Sequence, residues 1–275
     1  MPRLATLHRM LPSPLLKASA LVHAGAVGSL AVSGTWPWAL AAVAADHLLL
    51  NACGMWPRSA WLGPNWSRLP RAAAARGEVA VTIDDGPDPA VTPLVLEQLK
   101  GRGARATFFC IGERIARHPA LAREIVRRGH CIENHSARHP GRFALLGPQG
   151  LAREIGEAQD QITAVTGTAP RFFRAPAGVR SPLLEPVLAS FGLRLASWTR
   201  RGFDTVRSDA DAVLGKLCRG LEAGDILLLH DGHAARTARG VPVILEVLPR
   251  LLDAVAAAAL TAVTLRTAAA DPDTI

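Results

Sequence analysis

Two short runs in the chain carry the residue types from which hydrolytic chemistry can be built. Thr82-Ile83-Asp84-Asp85-Gly86-Pro87 sets two adjacent carboxylates directly after an apolar run. His135-Ser136-Ala137-Arg138-His139 sets two imidazoles four residues apart. A borderline divalent ion accepts imidazole nitrogen and carboxylate oxygen, and three protein ligands leave a position open for water. Asp85, His135 and His139 fill that count, and the i, i+4 spacing reads as one side of a helical turn. Asp84 is left over, and a carboxylate beside the ion can take a proton from water that coordination has acidified. A zincin-type protease does not fit, since Ser136 stands where its glutamate would follow the first histidine. An iron facial triad does not fit either, because the His-x-acid run is not there.

Two later positions extend the set. His230 follows the strand-like run 225–229 and can protonate a leaving amine, and Arg174 can pair with Asp84 and hold it ionised. Each feature alone has a plainer reading. Asp84 to Asp88 can be a turn and helix cap, the histidine pair can be two unrelated surface residues, and Arg174 can be solvated. Roles filled together at the ends of four strand-like runs favour the joint reading.

Strands and helices must position these groups, and from Val79 onward strand-like and helix-like runs alternate as in a parallel α/β domain. Strand-like runs lie at 79–83, 106–111, 131–132, 171–174, 193–198, 225–229 and 262–265. Helical runs lie between them, at 91–100, 119–128, 151–165, 182–191, 209–221 and 242–257. The candidate residues fall at the C-terminal ends of strands, the rim on which barrel-like α/β folds place their chemistry. A barrel or near-barrel is the expected fold.

The N-terminal seventy residues are different in kind. Ala18 to Ala45 contains no formally charged side chain, and a bilayer span needs about 20 apolar residues. Gly34-Thr35-Trp36-Pro37-Trp38 interrupts the run. One reading is a helical hairpin with spans near 17–34 and 37–54. A single span ending at Asp46-His47, a cleaved signal peptide and a buried hairpin of a soluble protein are the others. Basic residues at both ends (Arg3, Arg9 and Lys17 before, Arg58, Arg68 and Arg71 after) favour the hairpin. Asp46 argues against it, since a carboxylate in a span needs a partner. Hairpin and single span place the downstream domain on opposite sides. Membrane attachment, in a bacterial inner or cell membrane, is the expectation.

The 275 residues carry a net charge of +8, but the cations are nearly all arginine and are scattered. No basic stripe with interleaved aromatics is present, so nucleic acid is not an expected partner. Cys53, Cys110, Cys131 and Cys218 show no paired spacing and read as free, buried thiols.

At this point a resemblance becomes plain. Thr82-Ile83-Asp84-Asp85-Gly86-Pro87 resembles the first motif of the NodB-homology polysaccharide deacetylases, a carbohydrate esterase family. His135-Ser136-Ala137-Arg138-His139-Pro140 is similar to its second motif, Arg174-Ala175-Pro176-Ala177-Gly178 to its third and Leu228-Leu229-His230-Asp231 to its fifth. The resemblance spans residues ~78 to ~268. It implies a distorted (β/α) barrel and removal of an N-acyl group, acetyl above all, from an amino sugar. It implies one divalent ion, zinc or cobalt, on Asp85, His135 and His139. Asp84 would be the base, His230 the acid and Arg174 the group that orients the base. The chain departs from the family at Ile83, where Phe is usual, and at Ala177, where an aromatic is usual. The Ala177 backbone N–H can still serve an oxyanion, but the ring is lost. The fourth motif, Trp198 to Asp204, has unfamiliar spacing; Asp204 is carried over as the partner of His230.

The expected organisation is a membrane-attached segment 1–70, a linker 71–77, a deacetylase domain 78–268 and a tail 269–275. Within the same reaction class, the apolar N-terminus and Arg200-Arg201, which could face a phosphate, point to a lipid-linked sugar. A catalytically silent glycan- or partner-binding protein is the competing class.

Overall fold

The computed structural model describes residues 13–270; Arg3, Arg9 and the end of the tail lie outside them. Eight strands form one curled sheet: β1 Glu78–Asp84, β2 Ala106–Cys110, β3 Cys131–Asn134, β4 Phe172–Phe173, β5 Arg194–Leu195, β6 Arg200–Arg201, β7 Ile226–His230 and β8 Thr261–Val263. Their order is β5-β4-β3-β2-β1-β7-β6, with β8 pairing the start of β1, and every ladder is parallel. Helices intervene between the strands, at Thr92–Gly101, Pro119–Arg127, Pro148–Thr166, Leu184–Ser190, Ala210–Cys218 and Ile244–Ala257. The expected distorted barrel is therefore the fold.

Alternation along the strands explains the two largest hydrophobic clusters. Val79, Val81, Ile83, Leu227 and Leu229 pack with the helices. Ala80, Phe109, Phe172, Trp198, Ile226 and Leu228 form a separate interior cluster. Successive side chains point to opposite faces of a strand. Ala80, Thr82 and Asp84 thus share the inner face, and β1 delivers Asp84 to the barrel mouth.

Sequence reasoning missed several short elements, because a helix of one turn or a two-residue strand leaves no periodicity to read. Among them are the helix Gly112–Arg117, strand β6 and the helix Arg71–Ala75. That last helix occupies the expected linker, and its Ala73 is fully buried. The segment before it is also part of the barrel wall. Trp66 bridges Ala196 in parallel and Arg68 bridges Asp225 in antiparallel, across the gap between β5 and β7.

The apolar N-terminus is a helical hairpin, Pro14–Ser29 and Trp36–Met55. Asp46, the residue that argued against a hairpin, is buried between its helices and accepts a 2.7 Å hydrogen bond from the Ser19 hydroxyl. All four cysteines are free; Cys53 and Cys110 are buried, while Cys131 and Cys218 are half-buried.

Candidate active site

A pocket of about 240 Å³ opens at the C-terminal ends of the strands, lined by Asp84, Asp85, His135, His139, Ala177 and His230, among others. Arg174 and Asp204 lie directly behind it. All eight residues singled out from the sequence therefore meet at one place.

Asp84 ends β1 and is almost fully buried. Arg174, itself 1% exposed, donates from Nη1 to Asp84 Oδ1 at 2.7 Å and to Thr82 Oγ1 at 2.8 Å. Its other nitrogens donate to the Ala196 and Ser197 carbonyls, so the guanidinium is fixed on three sides. Burial lowers its pKa and Asp84 opposes that shift. A buried guanidinium is retained only where a partner of opposite charge meets it. Asp84 is that partner.

Asp85, the next residue, stands in the left-handed region with φ 73°. Its Oδ1 lies 3.3 Å from His135 Nε2 and 3.5 Å from His139 Nε2, yet it has no hydrogen-bond partner although buried. Burial would raise the Asp85 pKa, but the surrounding imidazoles of His135, His233 and His230 hold it well below the usual carboxylate range. The His135 Nδ1–H donates to the Arg174 carbonyl at 2.8 Å, which turns Nε2 toward Asp85. Burial and the neighbouring His135 push His139 down to about 4, which keeps its ring neutral. An orphaned carboxylate oxygen facing two imidazole nitrogens is a donor set that fits a divalent ion such as zinc or cobalt. The ligand atoms of Asp85, His135 and His139 all lie within 4.8 Å of one another.

The two imidazoles are not on a helical turn, contrary to the expectation from their spacing. Residues 135–139 form a loop in which Ser136 and His139 have φ of 65° and 54°. Asn134 Oδ1 accepts from the Ser136 N–H, and Ser136 Oγ accepts from the His139 N–H, each at 2.9 Å. Side-chain acceptors thus supply the bonds that a helix would have made. The helix-cap reading also fails for Asp84 and Asp85. It is Asp88 that accepts from the Ala90 and Val91 N–H groups, at 2.9 and 3.1 Å.

Non-glycine residues at positive φ gather here. Of seven among the described residues, six (Asp85, Ser136, His139, Ala177, Phe203 and His233) belong to the pocket or its margin. Such conformations cost about 1–3 kcal/mol each and concentrate where function over-determines the backbone.

His230 ends β7 opposite Asp84. Asp204, fully buried, accepts from the His230 backbone N–H at 2.7 Å and pairs with its Nδ1 at 2.9 Å. Burial would lower the His230 pKa, but the Asp204 carboxylate, with Asp84 and Asp85 beyond it, raises it above the ordinary imidazole value. Nε2 is left for the pocket.

Three contributors were not foreseen. His233 Nδ1 meets the second oxygen of Asp85 at 3.1 Å, and Arg114 Nη2 meets His233 Nε2 at 3.2 Å. Since arginine only donates, Nε2 accepts and the Nδ1–H donates to Asp85. The third is Asp231, buried and pushed up to about 7, first by burial and then by Asp85 and Asp88, while its bond from Thr92 opposes the shift. A Cβ on Gly86 would come within 2.6 Å of Asp231, so only glycine fits there. The signal for His233 was its place three residues after His230, which weighs little without the loop geometry.

A parallel α/β barrel with a carboxylate–imidazole cluster at its mouth, the donor set of which could hold a metal ion, defines a hydrolase class. The comparisons give the particular family. The polysaccharide deacetylase family model matches residues 71–196. A chitooligosaccharide deacetylase of Sinorhizobium fredii is 35% identical over 165 residues, 60% of this chain and 76% of the relative. A peptidoglycan-N-acetylglucosamine deacetylase of Bacillus cereus is 31% identical over 63% of this chain and 81% of its own. The family 4 carbohydrate esterase of Streptomyces lividans, solved with acetate, superposes with a TM-score of 0.61 at 32% identity, covering 68% of this chain and 91% of that one. This chain belongs to the polysaccharide deacetylase family, a family of hydrolases that cleave amide bonds of sugars.

Proposed function

We propose that the chain is a metal-dependent hydrolase that removes an N-acyl group, acetyl first of all, from an amino sugar of a polysaccharide or glycoconjugate. The observation that carries this is the orphaned Asp85 Oδ1 between two imidazole nitrogens, with Asp84 and His230 across one small pocket. Asp85, His135 and His139 would hold the ion, zinc or cobalt. A divalent ion in that place acidifies water and polarises a carbonyl. Asp84, held by Arg174, accepts the proton of the attacking water. The amide carbon then becomes tetrahedral, and the Ala177 N–H at the pocket wall can donate to its oxygen. His230, kept protonated by Asp204, delivers a proton to the departing nitrogen as the C–N bond breaks. The products are a carboxylate and a free amino sugar. A silent binding domain would not need both proton-transfer groups in place with their buried partners.

The hairpin supports attachment to a membrane. Trp36–Met55 is long and apolar enough to cross one; its 20 residues span about 30 Å, the thickness of a bilayer core. Leu21, Val27, Leu40, Leu48 and Leu49 are exposed along the hairpin. Trp36 and Trp38 stand exposed at one end, Trp56 and Trp61 at the other, as in the aromatic belts of membrane proteins.

The test is acetate release from an N-acetylated chitooligosaccharide, followed together with bound metal. We expect one ion per chain and activity that is lost on chelation and restored by zinc or cobalt. Undiminished acetate release from metal-free protein would overturn the proposal.

A further inference from the structure

The arginine pair beside the pocket is divided by the structure. Arg200 is spent on protein: it bonds Asp225 and the carbonyls of Arg219 and Gly220. Arg201 turns into the pocket, aligned with Leu228 of β7, which also lines it. Its guanidinium stacks over Trp198 at 5.3 Å and over Phe203 at 5.1 Å. It makes no ion pair with any described residue, and its buried Nε has no hydrogen-bond partner. A half-buried cation with aromatic support and no anion is a place prepared for one. Asp84 does not supply it, being held by Arg174.

A second, independent observation concerns what stands behind that wall of the pocket. Gly178 lines the pocket, and its φ of 74° and contact with Trp198 leave no room for a side chain. A Cβ there would also lie 3.2 Å from the ring of Pro57, two residues past the end of the long apolar helix. The Arg180 N–H donates to the Gly54 carbonyl in the last turn of that helix at 3.1 Å. Arg58 reaches the Thr199 carbonyl, and Asn65 ties the Pro57 and Ser59 carbonyls to Ser197. The rim loops of the third motif and of Trp198–Arg201 are thereby fastened to the end of the hairpin that carries Trp56 and Trp61. With those rings at headgroup depth, the pocket opens at the bilayer surface.

We propose that the substrate is an amino sugar joined through phosphate to a membrane lipid, with Arg201 binding the phosphate. This rests on the deacylase reading above and names its substrate class. A phosphate held at the water boundary by a lipid carrier places the sugar beside it, where Arg201 and the acyl-cleaving groups share one pocket.

The experiment uses the full chain in lipid nanodiscs with zinc. Three substrates are compared: N-acetylglucosamine linked through phosphate to a polyprenol, soluble N-acetylglucosamine 1-phosphate, and chitotetraose. The expected order of kcat/KM is the order given, with at least a tenfold advantage of the lipid-linked sugar over chitotetraose. Arg201→Gln should cut the ratio of phosphate-bearing to neutral substrate by about tenfold through KM, the loss of one charge-assisted contact. Arg201→Lys should restore part of it, and metal content should be unchanged in both. A ratio unmoved by Arg201→Gln, or a preference for chitotetraose, overturns the proposal while leaving the deacylase reading standing. Equal turnover of the soluble and lipid-linked phosphates overturns the lipid carrier. Acetate release from none of the three overturns the deacylase reading itself.

Discussion

Replacing Asp204 by Asn isolates what one buried carboxylate does for His230. Asp204 meets the ring at 2.9 Å and the backbone N–H of the same residue at 2.7 Å, both inside the barrel. Asn keeps the volume and one acceptor but removes the charge. A hydrogen bond to a charged group contributes about 1.5–3 kcal/mol. That bond strengthens as the imidazole holds the proton it must deliver, so most of this falls on kcat. At about 1.4 kcal/mol per tenfold, kcat should drop roughly 10- to 150-fold. The sign of the pH effect follows from the same bond. Asp204 raises the His230 pKa, so its loss lowers that pKa and moves the alkaline limb of the kcat profile to lower pH. KM and metal content should change little, since Asp204 reaches the pocket only through His230 and makes no hydrogen bond to the Asp85 cluster. The assay is a pH–rate profile of acetate release at saturating metal. A variant whose alkaline limb stays in place refutes the coupling, even if kcat falls.

Asp84→Asn should keep bound metal and lose turnover by at least about 100-fold, because the amide can still meet Arg174 but cannot accept a proton; metal analysis beside acetate release checks it. His233→Ala should weaken zinc about 10- to 100-fold in a chelator competition, since the residue orients the free face of Asp85; unchanged affinity would remove it from the site. His130 predicts a stability effect far from the pocket. Its Nδ1 accepts the Ala106 N–H at 3.2 Å, and burial, then Arg105 and Arg128, push its pKa from 6.5 down to about 4. The folded value lies below the unfolded one, so the stabilisation is complete above about pH 6.5 and fades as pH falls toward 4, by about 3 kcal/mol in all. Denaturant titrations at neutral and acid pH should show that loss, and His130→Asn, which keeps an acceptor without titrating, should flatten it.

The strands and long helices were legible because their apolar periodicity is the force that folds them. Val79 to Ile83 had to be a buried strand, and that alone put Asp84 at a strand end. The loop 135–139 was not legible. Its spacing imitates a helix, and only the Asn134 and Ser136 side chains, bonding the backbone locally, make it otherwise. The Asp46 objection failed for a related reason. The sequence shows a carboxylate in an apolar run, while the partner that satisfies it, Ser19, lies 27 residues away on the other helix. His233 and Arg114 were hidden in the same way, since their roles exist only after β7 returns beside β1.

Arg200 and Arg201 are told apart in the same way, by the fold alone. In the sequence they are equal neighbours, and a phosphate could be assigned to either. The β6–β7 register sets Arg200 beside Leu227, whose side chain packs on the helices, and Arg201 beside Leu228, whose side chain faces the interior. A strand sends consecutive side chains to opposite faces, so one guanidinium must leave the pocket as the other enters it. Asp225 then neutralises the one outside. The charge left within the pocket is therefore a consequence of strand register, and a single-residue slip of β6 would exchange the two roles.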